Sequence, residues 1–189
     1  MTFTVFTGGD SGAWSILSVA PVIGESLMAA SHLAIAPSLS LGDTSATTPW
    51  QLRGVASHAR YVERAEKIAL TSVQAGLGRN EATRAALIPI RKSAAWWEMT
   101  QDERRAIFED KSHHIAASLK YLPAIARQLY HCRDIGEPFD FLTWFEYAPE
   151  HATMFEDLVG VLRATEEWTY VEREVDIRLA RAIHHHHHH

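Results

Sequence analysis

Apolar and polar positions follow two different periods along this chain, and the changes of period mark its elements. Near the C-terminus Val175, Ile177 and Leu179 alternate with Asp176 and Arg178, a period of two that predicts a half-buried strand. Just before it, Phe155, Leu158, Val159 and Leu162 recur at i, i+3, i+4 and i+7, which is one face of an amphipathic helix. Earlier still, the aromatic run Phe139-Asp140-Phe141-Leu142-Thr143-Trp144-Phe145-Glu146-Tyr147 reads as a strand that Pro149 punctuates. The second half of the chain is thus strand, helix, strand.

The first half fits the same order. Trp50-Gln51-Leu52-Arg53-Gly54-Val55 is a strand candidate, and Arg60 to Val73 a helix that turns Val62, Ala65, Ile68 and Ala69 inward, while the earliest segment stays open. A division near Leu87 to Lys92 separates a unit of residues 1–90 from one of residues 91–183. The expected fold class is α+β: two fused ferredoxin-like halves with antiparallel sheets, helices on one face of each, forming an α+β barrel in which one half-sheet covers the other. Between the halves, Thr100-Gln101-Asp102-Glu103 matches a capping box and starts a helix at about residue 101. A further helical stretch runs through Ile115, Leu119 and Leu122 to Pro123, whose ring kinks or limits it.

Composition narrows the function classes. Six of the twelve histidines form the terminal run His184 to His189, a purification tag that leaves His32, His58, His113, His114, His131 and His151. With 47% hydrophobic and 22% charged residues the chain is an ordinary globular protein, and its net charge of −5 gives no basic surplus for nucleic acid. Cys132 is a lone cysteine, so neither an internal disulfide nor a multi-cysteine zinc site is expected. The most apolar region, Trp14 to Pro37, is broken by Pro21, Glu25 and His32, which argues against a membrane span. Met1-Thr2-Phe3-Thr4 lacks a cationic leader, so the expected compartment is the cytoplasm, or the periplasm if a leader has been removed.

The most unusual local feature is His113-His114 followed by Arg127-Gln128-Leu129-Tyr130-His131, with the pair Trp96-Trp97 upstream. Taken alone, these residues are as readily structural: histidines satisfied on an apolar helix, an arginine in a buried ion pair, tryptophans in the core. Several segments in order carry more. Trp50 to Val55 running into Arg60-Tyr61-Val62-Glu63-Arg64, then Lys92 with Trp96-Trp97, then His114 to His131, Phe141 to Glu146 and Glu167 together resemble the chlorite dismutase family of haem b proteins over roughly residues 50–180. The spacings depart from the family's by about three residues between Trp97 and His114 and by one after His131.

The resemblance implies the following. His114 is the proximal iron ligand, with His113 as runner-up, and Arg127, thirteen residues on, is the distal catalytic arginine. Glu167, or its neighbour Glu166, is the carboxylate that accepts the histidine's other ring N–H, which fixes the tautomer and adds electron density to the iron. Lys92 joins that proximal network and approaches a propionate, Tyr61 also lies near the propionates, and Trp96 and Trp97 wall the cofactor. Leu129, Thr143 and Phe145 complete the distal side. The implied reaction converts chlorite to chloride and molecular oxygen, with Arg127 retaining hypochlorite until it recombines. Short members of the family form homodimers. Rival readings are a coproheme decarboxylase, which generally carries glutamine in place of the arginine, a haem peroxidase of the same superfamily, and a non-enzymatic haem-binding protein.

Overall fold

The computed structural model describes residues 3–38, 49–56, 81–107, 109, 125–132 and 138–181. Eight strands are formed: β1 (Phe3–Gly9), β2 (Trp14–Ile23), β3 (His32–Ser38), β4 (Trp50–Ala56), β5 (Arg84–Lys92), β6 (Ile125–His131), β7 (Phe141–Tyr147) and β8 (Val171–Ala180). They close into a barrel with every neighbouring pair antiparallel. Around it the order is β4-β1-β3-β2, then β8-β5-β7-β6, returning to β4. The two halves therefore repeat one strand order, as the α+β reading expects. The early segment left open by the sequence supplies β1, β2 and β3.

The two seams between halves differ. β2 and β8 pair along seven residues with two irregularities, whereas β4 and β6 share two pairs, Val55↔His131 and Ala56↔Tyr130. Inside the barrel Phe6, Leu33, Leu52, Leu87, Leu142, Trp144, Ile177 and Leu179 form one core. A second core lies outside the β5–β7–β8 face, where helix Ala152–Arg163 lays Phe155, Leu158, Val159 and Leu162 against Ala86, Ile88 and Phe145. All four helix positions are those of the sequence periodicity.

β8 departs from the half-buried strand the alternation predicts. Its apolar side faces the barrel, but Glu174 and Asp176 on the other side are also buried, because the helix covers them and its last residue, Arg163, answers their charge. The sequence division near residue 90 falls inside β5, which counts wholly with the second half by topology. Pro89 hides that strand: proline gives no N–H to a ladder, and the β5–β8 register passes from Leu87↔Ile177 to Ile90↔Glu174 around it. Residues 101–107 are helical as expected. In the capping box Thr100 Oγ1 accepts the Glu103 N–H at 3.1 Å, and Glu103 Oε1 takes the Thr100 hydroxyl at 3.2 Å. The expected helices Arg60–Val73 and 115–122 lie outside the described residues.

Two local expectations follow from the packing. A Cβ on Gly8 would stand 2.3 Å from Trp50 Cε2, and that indole is held by its N–H to Met28 O at 2.9 Å. Gly8→Ala is expected to destabilise by about 1–3 kcal/mol, seen as a lower urea midpoint. Burial alone would push the Asp176 carboxyl up, but bonds and charge from Arg178 and Arg163 outweigh it and hold the group below the usual carboxylate value. A depressed folded pKa gives stability that is fully present above the unfolded value of about 3.9 and is lost as pH falls through the folded one. Urea melts from pH 6 down to pH 2 should show this loss, and Asp176→Asn should flatten it.

Candidate functional site

Strand pairing builds the site from sequence alternation. On β6 the residues Arg127 and Leu129 point to one face, and their partners across β7 are Phe145 and Thr143. Directly opposed residues in an antiparallel pair carry Cβ atoms about 4.5–5.5 Å apart on the same side. The four expected distal residues are thus brought together as a two-by-two patch on the outer face of the second half-sheet. Phe145 is buried, and Arg127, Leu129 and Thr143 are half-buried. Among the described residues, the Arg127 guanidinium is set there beside Leu129, Phe145 and the Thr143 hydroxyl. Burial holds the Arg127 pKa below the usual arginine value, and the nearby Glu167 charge offsets only part of that lowering. A guanidinium remains charged in either case.

Lys92 ends β5 on the face that also carries Ile88 and Ile90, since all are separated by two. Its ammonium lies 3.4 Å from Glu167 Oε1 and 3.6 Å from the Trp96 ring centroid, with the Lys92 side chain 0% and that of Glu167 3% exposed. Glu167 sits in a short 3-10 turn, Glu166–Tyr170, which buries Glu167 and leaves Glu166 exposed. Trp96 and Trp97 belong to the five-residue helix Ala94–Glu98 that follows β5. Trp96 is buried against Tyr170, with ring centroids 5.6 Å apart, and Trp97 stacks on Phe141 at 6.3 Å. His113, His114 and Tyr61 lie outside the described residues.

Asp140 is the residue that sequence reasoning passed over. Its buried Oδ2 accepts the backbone N–H of Lys92 at 2.7 Å and the indole N–H of Trp97 at 3.3 Å, so it joins the end of β5 to the tryptophan pair. The available signal was an acidic residue inside an aromatic run, Phe139-Asp140-Phe141, where a charge needs partners if it is buried.

Among the described residues, an apolar sheet face with a polar pair at its end is chemically suited to a large apolar cofactor. Leu129 and Phe145 lie on that face, Lys92 and Glu167 pair at its end, and Arg127 lies on the face with the Glu167 charge acting on it. Among the described residues no helix is long and apolar enough to cross a membrane.

Comparison with known proteins matches residues 35–183 to the family described as Chlorite dismutase. A curated chlorite dismutase of Ideonella dechloratans is 34% identical over 62 residues, which cover 33% of this chain and 20% of that protein. The chain thus matches about a fifth of that relative's length. The crystal structure of dimeric chlorite dismutases from Nitrobacter winogradskyi is 96% identical, with a TM-score of 0.87 over 95% of this chain and 99% of that one. A mutant chlorite dismutase from Candidatus Nitrospira defluvii in complex with cyanide shares the fold at 19% identity, with a TM-score of 0.72 over 96% and 91% of the two chains.

Proposed function

Because this chain belongs to the chlorite dismutase family, we propose that it is a haem b enzyme that converts chlorite to chloride and molecular oxygen. The observation that carries the reading is Arg127 set among Leu129, Thr143 and Phe145 on one half-buried sheet face. Chlorite and hypochlorite are small anions, and a guanidinium offers a permanent charge and a fixed fork of donors to each. With a cofactor over this face, the apolar residues around the guanidinium would help to keep water out, which strengthens that attraction. They also give an oxidant little to attack.

When bound, the iron porphyrin supplies oxygen-atom transfer and O–O bond formation, and the protein supplies position and charge. His114 would hold the iron, and Glu167 would accept the proton-bearing ring nitrogen of that histidine. The Lys92 ammonium, 3.4 Å from Glu167 Oε1, helps to hold that carboxylate in place. Trp96 and Trp97 would wall the cofactor, with Tyr61 and Lys92 toward its propionates. Arginine at 127 favours chlorite chemistry over coproheme decarboxylation, for which the family generally uses glutamine. The 96% identity to a dimeric chlorite dismutase supports a homodimer.

The test is an oxygen-electrode trace on tag-free, haem-loaded protein after chlorite is added. One oxygen per chlorite is the expected result. Absence of oxygen with an intact haem spectrum would overturn the reading in favour of a haem carrier, decarboxylase or peroxidase.

A further inference from the structure

The residue after Glu167 is tied down on the far side of its turn. Trp168 Nε1 donates to Glu174 Oε1 at 2.8 Å, and Glu174 Oε2 accepts Nε and Nη2 of Arg163 at 2.8 and 2.6 Å. Glu174 is 0% exposed on β8, and Arg163 is the last residue of the helix that packs on this face. The turn is fixed at its ends as well. Thr165 Oγ1 donates to Leu162 O at 2.7 Å, and the Ser93 N–H donates to Tyr170 O at 2.7 Å.

A 3-10 helix has about 3.0 residues per turn, so successive side chains point about a third of a circle apart. An indole locked to Glu174 therefore sets the direction in which its predecessor points. Packing alone does not require this arrangement, because apolar residues of similar volume commonly replace buried ion pairs without loss of stability. Here a buried carboxylate has both oxygens engaged, one by the strand-to-helix ion pair and one by the turn.

We propose that Trp168, Glu174 and Arg163 form a positioning unit that aims the Glu167 carboxylate into the site. The unit makes Glu167 an effective partner for the histidine that holds the iron. This rests on the reading of Glu167 given under the proposed function. Trp168 is a positioning residue: it acts through Glu167 and touches neither substrate nor iron in this role.

The test uses haem-loaded protein and reads the reduction midpoint potential of the iron beside thermal stability. Glu167→Gln sets the reference and should raise the potential, because a neutral amide donates less density through the histidine. Trp168→Phe keeps a ring and loses the N–H; it should move the potential in the same direction by a smaller shift and lower haem affinity by roughly tenfold. Arg163→Lys, which keeps the charge but loses the fork, is the second variant and should shift it likewise. Glu156→Gln, at the exposed outer end of the ion network beside Arg178, should leave the potential unchanged. A wild-type potential in both Trp168→Phe and Arg163→Lys, whatever their melting temperatures, would sink the positioning role. A wild-type potential in Glu167→Gln would instead remove the reading of Glu167, and this inference with it.

Discussion

Replacing Arg127 with alanine is expected to leave haem bound while oxygen yield and total turnovers fall. Under the proposed function a histidine, not Arg127, holds the iron, and the apolar neighbours Leu129 and Phe145 keep their places on the sheet. What disappears is the cation that the described residues place in the distal patch. A hydrogen bond to a charged group contributes about 1.5–3 kcal/mol, so a small oxyanion should leave the site about ten to a hundred times faster. Each escape costs one oxygen molecule and releases hypochlorite, which attacks the protein. Arg127→Ala should therefore give less than one oxygen per chlorite, hypochlorite detectable by a chlorination-sensitive trap, and early inactivation. Arg127→Lys, with the charge but no fork, should fall between. Wild-type stoichiometry and wild-type total turnovers in the alanine variant would refute the retention role.

Lys92→Met is expected to cost about 3–5 kcal/mol of stability, because it leaves the Glu167 carboxylate buried without the ammonium that faces it. The loss is electrostatic: methionine fills the space of the lysine stem and rests on Trp96 as the stem does. A second change separates the two causes. Lys92→Met combined with Glu167→Met removes both charges and should recover most of the loss in urea melts of haem-free protein. If the double variant were as unstable as the two single losses added, the pair would not be coupled. If Glu167 partners the iron-holding histidine, as proposed above, the same double variant should also bind haem more weakly.

The elements with strong periodicity were legible in the sequence. Helix Ala152–Arg163 and strands β4, β7 and β8 sit where the pattern places them. β5 was obscured by Pro89, a residue that argues against a central strand unless the ladder is interrupted beside it. The covered polar face of β8 was misread because alternation reports which residues differ, while only tertiary packing decides whether the polar set meets solvent or Arg163. At the site, the register of β6 against β7 converts a list of four residues into one surface. The partners of Asp140 and Trp168, Lys92 on β5 and Glu174 on β8, come within reach only in the folded chain.

The closed barrel has a further consequence. Taken alone, each half would present two open strand edges, β2 and β4 or β6 and β8, and open edges recruit any other extended chain. Joined in one polypeptide, each half meets its complement at an effective concentration set by the connection, and that value does not change on dilution. The short β4–β6 contact, two residue pairs long, is enough under those terms. Fusion thus turns an assembly that would depend on how much protein a cell makes into one that completes itself in a single molecule.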